Sequence, residues 1–253
     1  MTERQNMKMK KIFFAFFAAI LITGCSDNIL KSVHSHEFHK SFALKEGRTD
    51  SLTVTMNVQC PEDGLKEKVI HRIREQIKTA IYGENYTVLH VDDGFESFSE
   101  RMAKEYRTTN LDILENIEGP MNLSWEYMAD GRFAGSHKHY ITYTVSSYTY
   151  TGGAHGMSVT KSYIFDMKSG ETVEESEFFK DDYMPQLSAL LTAHVKDNTE
   201  NMTLFVSEVE PNGNFEVSDK GITYIYNPYE IAPYSEGTIR ITVPWKELQP
   251  ILK

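Results

Sequence analysis

The stretch SLTVTMNVQC at residues 51–60 decides the architecture. Leu52, Val54, Met56 and Val58 point one way, and Thr53, Thr55 and Asn57 point the other, which predicts a half-buried strand. The period then changes. After Pro61-Glu62-Asp63, the residues Leu65, Val69, Ile70, Ile73, Ile77 and Ile81 recur every three to four positions as far as Gly83. That spacing predicts a helix opened by Pro61 and two acidic residues and closed by glycine. A strand with one face to bury, followed by a helix with one stripe to bury, is a unit of mixed α and β packing.

Outward from this unit the same tests apply. Residues 37–44 read as an extended segment, paired with 51–60 in a hairpin whose long turn is 45–50. Residues 95–117 read as a second, less regular helix with Phe98, Met102, Tyr106, Leu111 and Leu114 on one side, stopped by Gly119-Pro120. From Met121 the period returns to two: Leu123, Trp125 and Tyr127 alternate with polar residues, and Asp130-Gly131 reads as a hairpin turn. A Tyr- and Thr-rich strand over 137–150 and another over 159–166 follow, separated by a glycine-rich break, with Lys168-Ser169-Gly170 as the next turn. Residues 181–195 are amphipathic. Short strands fall at 215–217, 222–226 and 238–243, and Pro244 opens a short terminal helix. The expected fold class is therefore α+β: antiparallel sheets with packed helices, in two closely associated subdomains at 37–160 and 161–253, sharing one core.

Residues 1–24 read as a targeting segment. Lys8, Lys10 and Lys11 precede an apolar run at 12–22, too short for the ~20 residues a spanning helix needs. The run ends Ile22-Thr23-Gly24-Cys25, a lipobox-like string. Cleavage before Cys25 and lipidation of that cysteine would leave residues 25–36 as a tether and anchor the fold in a bacterial envelope membrane, facing periplasm or exterior. The full chain has 26 basic and 36 acidic residues, a net charge of −10. Losing residues 1–24 removes four basic residues and one acidic residue, so the mature chain carries −13. Nucleic-acid binding needs the opposite sign. Two cysteines, one of them the lipidation candidate, exclude a disulfide-stapled scaffold and leave Cys60 as a small buried residue.

The chemistry-bearing residues are sparse. His34, His36 and His39 lie where the tether meets the fold, with no rigid support for a metal, and His137 and His139 would share one strand face but lack a third ligand. No metal or cofactor is expected. There is no nucleophile elbow, phosphate loop, dinucleotide fingerprint or HExxH string, so no catalytic residue is assigned and an enzyme is the weaker expectation. YTGGAHG at 150–156 is the most unusual string: Gly152 and Gly153 permit a sharp turn that would hold His155 beside Tyr150. His155 then serves either as a binding or acid–base group at a cleft edge, or as a locally bonded structural residue. Tyr148 and Tyr150 share a strand face, and Tyr229 and Tyr234 follow near the C-terminus. Tyrosines with polar tips suit sugar stacking, protein interfaces or a sheet packed under helices.

These strings together carry a resemblance. YTGGAHG at 150–156 followed by YIFDMKSG at 163–170 resembles the RsiV-type extracytoplasmic domain family. GITYIYNPYEIAPYSEG at 221–237, leading into IRITVPWKEL at 239–248, is similar to that family's C-terminal signature. Residues 37–155 resemble its companion domain, also found in PdaC-type deacetylases. The best understood relatives of this kind are membrane anti-sigma factors whose outer domain binds lysozyme. The sequence shows no sigma-binding segment or spanning helix before the fold and no deacetylase domain, so neither activity is carried over. The resemblance implies a lipid-anchored binding module for a basic, lysozyme-like protein or a cell-wall glycan. The alternatives are a structural or assembly lipoprotein without a soluble ligand, and an envelope hydrolase using His155.

Overall fold

The computed structural model describes residues 30–84, 88–117, 119, 121–198 and 202–253. Two antiparallel strands, β1 (Ser32–Ala43) and β2 (Ser51–Asp63), pair along their whole length, from Ala43 opposite Ser51 to Ser32 opposite Asp63. Both strands exceed the expectation. Ser32 to His36, expected as tether, pair with the end of β2, and β2 absorbs Pro61, Glu62 and Asp63, expected to open the helix. The strand ends at Gly64, whose φ of 110° suits glycine. Helix α1 (Glu67–Tyr82) follows and closes at Gly83. Helix α2 (Val91–Asn116) starts at a capping box between His90 and Asp93.

The chain then returns as β3 (Trp125–His137), parallel to β2 with Leu52 opposite Trp125. The sheet is therefore mixed, because the two helices carry the chain back over one face before it re-enters. β3 turns into β4 (Tyr140–Tyr150) and then β5 (Met157–Asp166), giving the order β1-β2-β3-β4-β5. Asp130-Gly131 is not a turn. It lies mid-strand, opposite Ser146 and Val145, and a Cβ at Gly131 would collide with the Tyr143 hydroxyl. That glycine gives clearance and not curvature. The turn is instead at Lys138, with φ of 54°, so 137–150 is a strand end, a turn and a strand.

Parity sorts the core. Leu52, Val54, Met56 and Val58 are buried under Ile73 and Ile77 of α1 and Phe95 and Tyr106 of α2. The second unit is a three-stranded sheet of β6 (Phe215–Ser218), β7 (Gly221–Tyr226) and β8 (Ile239–Pro244). Short helices α3 (Glu175–Phe178) and α5 (Trp245–Leu248) flank it, and α4 (Met184–Asn198) packs on β8. Leu187 and Leu191 of α4, with Val217, Ile222, Tyr224 and Val243, make its core.

The two units meet at β5, which puts Phe165 into the first core and Ile164 into the second. A division between residues 160 and 161 would cut this strand. The outer edge of β5 is covered by side chains that imitate a neighbouring strand. Thr160 N–H donates to Asn227 Oδ1 at 2.7 Å, and Ser162 N–H donates to Asn214 Oδ1 at 2.9 Å. The Thr160 carbonyl accepts from the amides of both asparagines. An edge that would otherwise offer itself to a foreign strand is closed in this way. Register also fixes direction: Ser32, His137 and Tyr140 share one end of the large sheet, while Ser51, Trp125 and Tyr150 share the other.

Candidate functional site, an aromatic platform at the joint

At the second end of the sheet, β4 stops at Tyr150 and the chain folds back through residues 151–156. Gly152 and Gly153 take φ of 103° and 86°, a region closed to most side chains. The Tyr150 hydroxyl donates to the Gly153 carbonyl at 3.1 Å and ties the loop to the strand. Gly156 lies against the Tyr148 ring so closely that a Cβ would enter the ring. His155 is thereby turned outward.

There it meets the second unit. The His155 and Tyr234 rings stack with centroids 3.9 Å apart and planes 22° from parallel. The Tyr234 hydroxyl donates to the Gly156 carbonyl at 2.8 Å, and His155 Nδ1 lies 2.9 Å from the same oxygen. A carbonyl only accepts, so Nδ1 carries a proton. Tyr229 joins at 5.8 Å from Tyr234. Its φ of 73° is held by a turn in which Tyr229 N–H donates to the Ala232 carbonyl, and it is 51% exposed. Tyr234 stands on a 3-10 turn (Tyr234–Glu236). Glu126 pairs with Tyr150 across the strands and sets one carboxylate beside the platform, while Glu230 accepts from Asn212 and Asn227 and Glu236 accepts from the Thr203 N–H.

Tyr150, Gly152, Gly153, His155, Tyr229 and Tyr234 thus come together, the first four from the β4–β5 connection of one unit and the last two from the β7–β8 connection of the other. They form an open platform and not a cleft. A cavity of about 950 Å³ lies elsewhere, lined by His34, His36, Glu62, His71 and Arg74, and another of about 460 Å³ lies beside Gln76 and Gly213. The Nδ1 partner of His155 is a carbonyl, which orients the ring without the carboxylate that would stabilise an imidazolium. The arrangement suits stacking and hydrogen bonding. Tyr148 and Gly156, which set the loop, escaped the sequence analysis as site residues. Their signal was the glycine beside His155 and the parity that puts Tyr148 on the Tyr150 face.

The other histidines are occupied. His36 Nδ1 lies 3.0 Å from Asp92, and His39 Nδ1 lies 3.0 Å from the Thr55 hydroxyl. His137 stacks on Trp245 at 4.1 Å and His139 on Tyr140 at 4.1 Å, and the turn at Lys138 removes their shared strand face. Among the described residues no group of three or more His, Cys, Asp or Glu is placed to hold a metal ion. Cys60 is buried, and that burial pushes its thiol up to about 12. Cys25 lies outside the described residues.

Comparison with known proteins places domains on this geometry. Residues 46–158 match the family described as deacetylase PdaC, and residues 176–246 match the family described as protein of unknown function (DUF3298). The chain therefore carries a PdaC-type domain followed by a DUF3298 domain. His155 belongs to the first match, and Tyr229 and Tyr234 belong to the second. Residues 9–26, which include Cys25, match a prokaryotic membrane lipoprotein lipid attachment site. Together these matches support a lipoprotein of the cell envelope, anchored in the membrane through a lipidated cysteine. Among the described residues no helix is long and apolar enough to cross a membrane.

One curated relative is the peptidoglycan-N-acetylmuramic acid deacetylase PdaC of Bacillus subtilis, 22% identical over 94% of this chain. The chain spans about half the length of that relative. Two solved structures share the fold. A DUF3298 family member from Bacteroides fragilis has a TM-score of 0.79 at 24% identity, covering 88% of this chain and 93% of that one. A DUF3298 family protein from Pseudomonas aeruginosa has a TM-score of 0.59 at 14% identity, covering 89% and 96%.

Proposed function

We propose that this protein is a lipid-anchored envelope receptor that captures a basic, lysozyme-like protein on the platform of His155, Tyr229 and Tyr234. The observation that carries this reading is the stack itself: three aromatic rings pre-set by loops, His155 and Tyr229 exposed and Tyr234 half-buried, with Glu126 beside them. Rigid aromatic anchors on an open surface suit a protein partner, which needs area more than depth. A net charge of −13 on the mature chain steers a basic partner. The test is calorimetric titration of the mature lipoprotein in detergent with a c-type lysozyme at low and moderate salt, alongside lysozyme activity. Saturable binding that weakens with salt and is lost in Tyr229→Ala, Tyr234→Ala supports the reading. Absence of heat at both salt concentrations removes it.

A second reading is favoured by the near-parallel rings, which match the apolar faces of hexosamines as well as they match side chains. The peptidoglycan deacetylase among the relatives lends it weight. In that case glycan fragments, and not lysozyme, produce the heat. The structural or assembly role predicts neither, and the hydrolase role predicts turnover lost in His155→Ala without loss of fold.

A further inference from the structure

The two outer edges of the large sheet are finished differently. The β5 edge is closed by Asn214 and Asn227, whereas β1 is the last strand at the other edge, and among the described residues no strand pairs with its outer side. Leu44 N–H donates to the Asp50 carbonyl at 3.0 Å, and the register stays constant from Ala43 opposite Ser51 to Val33 opposite Pro61. Antiparallel pairs alternate, so the even residues of this run bond to β2 and the odd ones turn their N–H and C=O groups outward. The Ala43 carbonyl accepts from Arg107 Nε at 3.2 Å. Val33, Ser35, Glu37, His39 and Ser41 keep theirs for solvent, and all five residues are exposed. The devices that usually protect such an edge are missing along it. It has no proline, its bulge is confined to Ser32 and Val33, and its lysine, Lys40, is drawn over the helix-covered face by Glu96 and Glu100.

Helix α2 lies beside this edge and runs the same way. His36 Nδ1 meets Asp92 at 3.0 Å, Phe38 stacks on Phe95, Lys40 Nζ reaches Glu96 at 2.7 Å and Glu100 at 2.9 Å, and Arg107 reaches Ala43. Asp92, Glu96 and Glu100 follow one another every fourth residue, and each side chain is more than half exposed. Four helical residues rise about 6 Å. Two residues of a strand rise about 6.6 Å. A strand added outside β1 therefore brings every second side chain opposite one of the three carboxylates. Charge selects the sign. Glu37, Asp92, Glu96 and Glu100 stand against the ammonium of Lys40, and Lys104 and Arg107 come only beyond Glu100, toward Ala43. A second copy of this chain in antiparallel pairing would set the same carboxylates against themselves.

From this we infer that the outer edge of β1 is a strand-addition site for an extended, basic segment of a partner protein, with lysine or arginine at alternate positions. The segment's backbone extends the sheet by bonding to Ser35, Glu37, His39 and Ser41, and its cations take Asp92, Glu96 and Glu100. The site shares no residue with the platform of His155, Tyr229 and Tyr234, so it stands whether or not that platform captures a lysozyme-like protein.

The test uses the mature lipoprotein in detergent and a fluorescein-labelled seven-residue peptide with lysine at its second, fourth and sixth positions and threonine or valine between. Two control peptides carry glutamate in place of lysine, or N-methyl groups on the alternate amides that would face β1. Saturable anisotropy with the lysine peptide alone is expected, together with slowed hydrogen exchange at the amides of Ser35, Glu37, His39 and Ser41. Glu96→Gln combined with Glu100→Gln should weaken binding about tenfold at an unchanged melting temperature. Glu37→Pro removes an outward N–H and should abolish binding; the N-methylated peptide makes the same point on the unaltered protein. Three results overturn the inference: no binding of the lysine peptide, binding that survives N-methylation or the change to glutamate, or binding that leaves those four amides unprotected. Protection of the same amides in the free protein that fades on dilution would make a second copy the occupant and overturn it as well.

Discussion

The two faces of the five-stranded sheet come from the same strands and differ only by parity. On β2, Leu52, Val54, Met56 and Val58 are at most 1% exposed, while Thr53, Thr55 and Asn57 between them are half-buried. The first set is pressed under two helices, so each side chain is fixed by many neighbours. The second set packs under no helix: Thr55 bonds His39 and Asn57 donates to Asp130, and farther along this face Thr142 and Thr144 bond to Val217 and Glu216 of β6. One face therefore carries stability, and the aromatic end of the other is where the proposed capture would take place. Substitutions on the two should differ several-fold in cost.

The largest expected effect is on the helix-covered side. Ile77 is fully buried on α1, and Ile77→Ala should remove about 2–5 kcal/mol, read as a lower urea midpoint at unchanged slope. A loss under about 1 kcal/mol would break the comparison at its stronger end. Next comes the closed edge of β5. Asn227→Ala leaves the Thr160 N–H without its acceptor and should cost about 1–3 kcal/mol. Hydrogen exchange at Thr160 should rise with it, and a protected amide in the variant would show that another group closes the edge.

Gly156→Ala tests the joint between the faces. The new Cβ enters the Tyr148 ring, so a cost of about 1–3 kcal/mol is expected. Platform binding should weaken in the same variant, and unchanged binding would separate the loop from the stack. Thr53→Ala is the counterpart of Ile77→Ala and should stay within about 0.5 kcal/mol. The smallest effect is a slope. Burial lowers the His137 pKa, with the Lys138 ammonium adding to it. A base held below its ordinary value is most compatible with the fold when neutral. Its contribution is complete above about pH 6.5 and is lost as pH falls through the lowered value. His137→Phe keeps a ring on Trp245 and should flatten the stability profile below about pH 6.5; an unchanged profile would mean other groups set it.

How much of this was legible varies with the kind of signal. The strand at 51–60 and the helix after it were legible because burial repeats at a fixed period over many residues. The C-terminal strands and short final helix followed from the same rule. Asp130-Gly131 was misread because a turn pair and a clearance glycine look identical until the Tyr143 hydroxyl is placed above it. Ser32 to His36 were misread because pairing depends on how far the partner strand runs, and Pro61 concealed that length. For the platform, His155, Tyr229 and Tyr234 were each singled out, but His155 and Tyr234 are 79 positions apart in the chain, and no local period records a ring stack across that gap. The hydrogen bond from Asn57 Nδ2 to Asp130 Oδ1, 3.0 Å long between β2 and β3, was invisible for the same reason, being a matter of register between strands joined by two helices.

The opposed ends of the sheet also give the molecule a height. By covalent length, Cys25 can lie no more than ~18 Å from Leu30, beside the end of the sheet where β1 begins. The 11 residues of β4 add about 35 Å before the platform is reached. A partner held there stays within roughly 50 Å of the anchoring lipid. The proposed capture would then be governed by how densely the lipoprotein populates its membrane, as a fence works by the spacing of its posts, and a modest affinity would suffice where local concentration is high.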